Sequence, residues 1–294
     1  MMSSTYANRP VTKPPDWHGL VAWDLLCNNL ATGTFLVAAL GELAAPRVFT
    51  AVANLAYPLA LALLLLDLFL LVLDLGDPWR FHHMMRIFKP SSPMSLGTWS
   101  LAAFSLPLTV LVATEVVPGD HAILAWVRLC AIVLGLAPAL ASAVYKGVLL
   151  STTSQPGWTA ARWLGAYLTS SAFLLGAAVL LLLSLLLDQP GAAARLYSTM
   201  LLLLAFNTLM LALLLRNIGP ALRRRFSTGE LLGMTVASLL LGHLLPALLL
   251  DLRLAGANSF LLAAAIISLL VGSVVIRFVI VHMPHQAPSE QRLR

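Results

Sequence analysis

The chain has 294 residues, of which 60% are hydrophobic and only 10% charged, with a mean hydropathy of +0.89. A soluble domain carries roughly 25% charged residues, so this composition excludes a water-soluble globular enzyme. The formal charge of +6, from 18 Lys and Arg against 12 Asp and Glu, is read as a matter of membrane orientation, and no nucleic-acid partner is expected.

Runs such as Leu59–Leu73, Ala172–Leu187 and Leu201–Leu215 approach the roughly 20 apolar residues that span a bilayer. They do not alternate polar and apolar residues as barrel strands do, and a lipid-exposed segment must satisfy its backbone internally. The predicted fold is therefore all-α: a polytopic membrane protein of eight transmembrane helices, an amino-terminal four-helix bundle plus a second helical half. The expected divisions are a polar tail over 1–19, the first bundle over 20–150, the second half over 151–281 and a tail over 282–294. The first residues, Met1–Asp16, are polar and lack the basic stretch and short apolar core of a cleavable signal peptide.

The predicted spans are 20–44, 48–75, 95–117, 122–150, 163–187, 195–216, 230–250 and 259–281. Pro46, Pro118-Gly119, Pro156-Gly157, Pro190-Gly191, Gly219-Pro220 and Gly256 are read as breaks between them. The first span carries Asp24 near one end and Glu42 near the other. The second carries Asp67, with Asp74 seven residues on and so on the same helix face. The loop after it holds Asp77, Arg80, His82 and His83. The third carries Glu115 near its end, and the fourth carries Arg128 near its start and Tyr145 and Lys146 toward its end. The last four spans are read as free of Asp and Glu, with His243 their one deep ionisable group.

An even number of spans puts both termini on one side. Arg9, Lys13, Arg80, Arg86, Lys89, Lys146, Arg162, Arg216, Arg223, Arg224, Arg225, Arg277, Arg292 and Arg294 fall on that side. Arg47, Arg128, Arg195 and Arg253 fall on the other. Fourteen against four makes the terminal side cytoplasmic by the positive-inside rule. A rival reading makes it a basic docking face.

Charges inside a bilayer cost about 2.5–3.5 kcal/mol each on insertion scales, so those of the first four spans need partners or a function. Counting along the helices gives Asp24, Asp74, Tyr145 and the Ser95–Trp99 start of the third span one depth, with the loop closing over them. An apolar pocket with a few polar groups at that depth suits a redox quinone. The bland alternatives are that Asp77 and Arg80 pin the loop as an ion pair and that Tyr145 is an interfacial belt residue. Glu42, Glu115 and Arg128 lie toward the other side. With Asp67 between, they form either a broken proton path or, on the reading preferred here, a Glu115–Arg128 clamp. Cys27 and Cys130 are read as packing residues, and no metal site is expected. Neither an iron–sulfur cluster nor a bis-histidine haem is expected in this chain, since two thiols and one deep His cannot hold them.

The stretch Asp74-Leu-Gly-Asp-Pro-Trp-Arg-Phe, followed after a gap by Ser92-Pro-Met-Ser-Leu-Gly-Thr-Trp99, resembles the signature of the NrfD/polysulfide-reductase membrane subunit family. Trp23, Asn28–Gly33, Tyr145-Lys-Gly-Val-Leu-Leu, Pro156-Gly-Trp158 and Arg277-Phe-Val-Ile-Val are similar to its flanking segments. The resemblance implies a bacterial inner-membrane subunit that binds menaquinone or ubiquinone as a substrate. It also implies docking of a four-cluster iron–sulfur subunit wired to a molybdopterin or similar catalytic subunit. The family's pocket maps onto Asp24, Asp74–Gly76 and Tyr145, of which Asp24, Asp74 and Tyr145 are the expected reactive groups; Trp23, Asn28, Gly76, Asp77, Arg80, His82 and Trp99 are expected around them as the pocket and its loop. Some members carry His where this chain has Asp24, which leaves the direction of turnover open. Well-known members dock partners on the outer face at this loop, whereas the charge count here puts the loop and both termini inside. The leading expectation is quinone-coupled electron transfer. The alternatives are a proton- or solute-translocating subunit through Asp67, Glu42, Glu115 and Arg128, and a passive anchor.

Overall fold

A computed structural model describes residues 17, 19–117, 122–155, 157–254 and 259–284. Its helices are α1 (Gly19–Ala44), α2 (Pro46–Leu73), α3 (Pro93–Val116), α4 (Ala122–Ser151), α5 (Leu164–Leu186), α6 (Pro190–Arg225), α7 (Thr228–Leu239), α8 (Leu245–Leu254) and α9 (Ser259–His282). A 3-10 segment, Pro78–Met85, lies between α2 and α3, and a π turn, Leu240–Leu244, joins α7 to α8 without a break. Eight stretches, with α7 and α8 as one, are long and apolar enough to cross a membrane. The chain is a multi-pass, all-helical membrane protein.

α1 is the axis of the bundle and packs against α2, α4, α5 and α9. Its sequence explains the position. Asn28, Asn29, Thr32, Gly33 and Thr34 are all buried, and polar groups of this kind are more costly against lipid than between helices. Gly33 meets α5 so closely that a Cβ there would strike the Ala172 backbone, and one on Gly176 would strike the backbone at Gly33. Small residues allow that approach, and Asn29 locks it by donating to the Leu168 carbonyl at 2.7 Å. Leucines on α3, α4, α6 and α7 stay exposed, including Leu106, Leu134, Leu202 and Leu232, as lipid-facing surfaces do. The core passes from α1 to α5 and α9, so both halves of the chain share it.

Two of the expected breaks, Pro46 and Pro190, open helices, as Pro93 also does, where a missing N–H costs nothing and the fixed φ suits the first turn. Gly219-Pro220 does not end the sixth span: α6 continues through it to Arg225. Glu230, at the edge of the seventh predicted span, closes a capping box with Ser227 at the start of α7. Pro118-Gly119, Pro156 and Gly256 lie outside the described residues, as do Arg9, Lys13, Arg292, Arg294 and three of the seven histidines, His18, His121 and His285.

Two of the fourteen cations counted on the terminal side are not surface charges. Lys146 and Arg277 are buried, 4% and 0% exposed. Each sits five residues inside its helix end, at Ser151 and His282, which is about 7.5 Å of rise. The count becomes twelve against four, and the asymmetry persists.

Candidate functional site

Lys146 organises the polar interior of the first bundle. Its Nζ lies 2.7 Å from Asp24 Oδ1 on α1 and 2.6 Å from Asp67 Oδ1 on α2. Asp67 is fully enclosed, and its other oxygen accepts from Asn28 Nδ2 at 3.2 Å. Asn28 also donates to Ser142 Oγ at 3.1 Å. Ser142 and Lys146 are one turn apart on α4, and Asp24 and Asn28 one turn apart on α1, so each helix presents two polar groups to one seam. Three charges in this seam compensate one another only in part, two acids against one base.

Above the seam lies a cavity with about 710 Å³ of empty space, its mouth included. Asp24 and Lys146 form its polar floor, with Asp74 from the end of α2, Thr98 from α3 and Tyr145 from α4 around it. The walls are apolar: Val21 and Leu25 of α1, Leu71 and Leu75, Met84 of the loop, Met94 of α3, and Leu149 and Leu150 of α4, with Trp17 at the edge. The Tyr145 ring occupies the space a Cβ on Gly97 would need, and Lys146 Nζ lies 5.8 Å from its centroid. A flat ring with two hydrogen-bonding oxygens and an apolar substituent suits such a lining.

The three residues given one depth, Asp24, Asp74 and Tyr145, do line this single cavity. The outer shell is placed differently. Asn28 is below the floor. Trp23 is half exposed and edge-on to Phe278. Trp99 lies beside Phe88 with its indole Nε1 buried and unpartnered, while its neighbour Thr98 faces the cavity. Gly76 is exposed, Asp77 and Arg80 form an exposed ion pair at 3.2 Å, and His82 packs against Phe81 and His83 on the loop surface. The loop contributes Leu75 and Met84 to the cavity instead.

A second cluster occupies the other end of the bundle. Among carboxylates, Arg128 lies closest to Glu42, at 2.7 and 3.1 Å, with a longer contact of 3.4 Å to Glu115. The clamp expected with Glu115 is thus centred on Glu42, which also accepts from the Tyr57 hydroxyl at 2.8 Å. Asn54 completes the site at 2.7 Å from Arg128. Between the two clusters α2 carries the buried, apolar Ala60 and Leu64, and Phe35 packs against Tyr57 and Phe104. Asp67 belongs to the cavity cluster, and these apolar side chains separate it from the second.

A family model described as polysulfide reductase, NrfD_2, matches residues 2–288. The chain belongs to this NrfD-type polysulfide reductase family. No curated protein matches it significantly. The NrfD-type signature thereby acquires a physical reading in this chain: Gly97 of its second half seats Tyr145, while Asp77 and Arg80 of its first half are surface residues.

Lys146 is the site residue that sequence reasoning missed, because a lysine five residues from a helix end reads as an interfacial charge. The signal was Asp67: an acid deep in a span needs a partner, and Lys146 shares the end of the bundle toward which Asp67 lies. Arg277 was missed for the same reason, so His243 is not the only deep ionisable group of the second half of this NrfD-type protein. Arg277 donates to the Ser273 carbonyl and hydroxyl and, at 3.1 Å, to Ser171 Oγ. His243 on the π turn has its ring nitrogens 3.1 Å from Asn207 Oδ1 and 3.2 Å from the Ser238 carbonyl.

Proposed function

We propose that this membrane subunit exchanges electrons and protons between a membrane quinone, menaquinone or ubiquinone, and a docked iron–sulfur subunit of a respiratory oxidoreductase. The observation that carries the reading is the cavity itself, an apolar cleft whose floor and rim hold Asp24, Asp74, Tyr145 and Lys146. Oxidation of a hydroquinone releases two protons and two electrons. Carboxylates at Asp24 and Asp74 are placed to take the protons, and in the reverse direction carboxyl groups there supply them. The Tyr145 hydroxyl is a donor for a quinone carbonyl. The electrons pass to the iron–sulfur subunit, so this chain supplies pocket shape, hydrogen bonds and a docking face. That partner would connect to a molybdopterin or similar catalytic subunit. The location consistent with this role is the bacterial cytoplasmic membrane, with both termini on the cytoplasmic side as the twelve-to-four excess of basic residues favours.

The test is quinone-coupled turnover of the assembled complex. Asp24→Asn and Tyr145→Phe should each lower it at least a hundredfold, while the complex still assembles and reacts with artificial electron carriers. Quinone turnover that survives both substitutions rejects the pocket.

A second reading, redox-linked proton translocation, draws on the ionisable Glu42–Arg128–Glu115 cluster at the opposite end of the bundle and would have to cross the apolar layer of Phe35, Ala60 and Leu64. Glu115→Gln in proteoliposomes would then lower the proton-to-electron ratio without slowing electron transfer.

A further inference from the structure

The two carboxylates at the floor of the cavity do not share it equally. Asp24 and Lys146 line the cavity, whereas Asp67 is fully enclosed, paired with Lys146 and Asn28 and beside the Asp24 carboxyl. Lys146 Nζ reaches Asp24 Oδ1 at 2.7 Å, Asp67 Oδ1 at 2.6 Å and the Asp24 carbonyl oxygen at 3.3 Å. Of these three oxygens, Asp67 Oδ1 and the Asp24 carbonyl accept hydrogen bonds from the ammonium, while Asp24 Oδ1 is held by the ion pair alone. The triad carries one negative charge when both acids are ionised, in surroundings that penalise an uncompensated charge. A proton that relieves it can enter at Asp24 but not at Asp67, which the cavity does not reach. The buried Asn28 Oδ1, below the floor, has no partner, so the Asn28 amide offers Asp67 hydrogen bonding and no further charge.

Resting on the quinone reading above, we propose that Lys146 and Asp67 are positioning residues that set when the Asp24 carboxyl exchanges its proton, Asp67 competing with Asp24 for one ammonium. When Asp24 is ionised, the ammonium is divided between the two acids. When a hydroquinone O–H bond breaks and an O–H bond forms on Asp24, Asp24 gives up its share and Lys146 neutralises Asp67 alone. The electron released with that proton goes to the docked iron–sulfur subunit. The reverse step returns the proton to a quinone oxygen and the ammonium to both acids. Asp67 is then a counterweight rather than a station on a path across the membrane. The other ionisable groups around Asp24 are Cys27 on α1, Asp74 on α2, Tyr145 on α4 and Arg277 on α9, while α3 contributes the uncharged Thr98. None of them is altered in the test.

The experiment measures the pH profile of turnover by the assembled complex, with short-chain menaquinone and ubiquinone analogues in both redox states. Asp67→Asn removes the competitor and keeps the shape, leaving Lys146 wholly to Asp24. The ionisation limb should move at least half a pH unit lower, whether Asp24 acts as base or acid. Asp67→Glu keeps the competing carboxylate outside the cavity and should leave the limb where the native protein has it. An Asp67→Asn profile superimposed on the native one overturns the proposal, provided that Asp24→Asn abolishes quinone turnover. If Asp24→Asn turns over normally, the pocket reading fails first, and the two failures are distinct. Reaction with an artificial electron carrier serves as the assembly control for every variant.

Discussion

The two halves of the molecule bury polar groups in opposite ways. In the first, acids and bases meet directly: Lys146 with Asp24 and Asp67, and Arg128 with Glu42 and Glu115. In the second, the buried cation Arg277 has no carboxylate within ion-pair distance among the described residues and rests on serine oxygens and a carbonyl. His243 and Asn207 likewise bond to amide, hydroxyl and carbonyl groups. The first half opens its charges to a large cavity. The second closes its polar groups around a narrow space lined by Tyr167, Ser171, Asn207 and His243. The proposed proton exchange needs groups that change charge beside a place where a substrate can sit, and among the described residues Asp24, Asp74 and Lys146 of the first half meet that need around the wider cavity. The polar residues of the second half hold helices together.

That contrast can be broken at graded cost. Lys146→Met should be the most damaging change, because it leaves two buried acids without their cation. Removing one partner of a buried pair costs about 3–5 kcal/mol, read as a large fall in the unfolding temperature of the purified protein in detergent. Gly33→Leu comes next. It forces α1 away from Ala172 on α5, a small-to-large change costing about 1–3 kcal/mol or more, with loss of folded material on size exclusion as the readout. Asn207→Ala, in the second half, should lower stability by only about 0.6–2 kcal/mol, the range for interhelical hydrogen bonds in membranes, and leave quinone turnover intact. A turnover defect as large as that of Asp24→Asn would erase the distinction between the halves. Asp77→Ala should be the mildest, under about 1 kcal/mol, since the pair with Arg80 is solvent-exposed.

Much of the architecture could be read from hydropathy, because a bilayer permits so few backbone solutions. The errors fell where water and lipid meet. Pro220 reads as a terminator, yet α6 passes through it, since a helix entering the interface still bonds its own backbone. Lys146 and Arg277 read as surface charges because one-dimensional depth does not tell which face of a helix is covered. Asp24, Asp74 and Tyr145 were legible because helix rise alone gives them a common depth. The roles suggested for Asp77, Arg80 and His82 came from the loop in which they sit, and a loop's position does not say which of its side chains turn inward. That Lys146 holds Asp67 required both a depth and a direction, and direction depends on the packing of α4 against α1.

The fit of Tyr145 over Gly97 has a further consequence. The width of the cavity is gauged by α3, although the ring that narrows it grows from α4. A single methyl added at 97 would push the ring off α3 and into the space it borders. The girth of the cavity is therefore adjustable from a position that contributes no side chain at all, and Gly97→Ala with a smaller ring at 145 is the natural pair for resizing it.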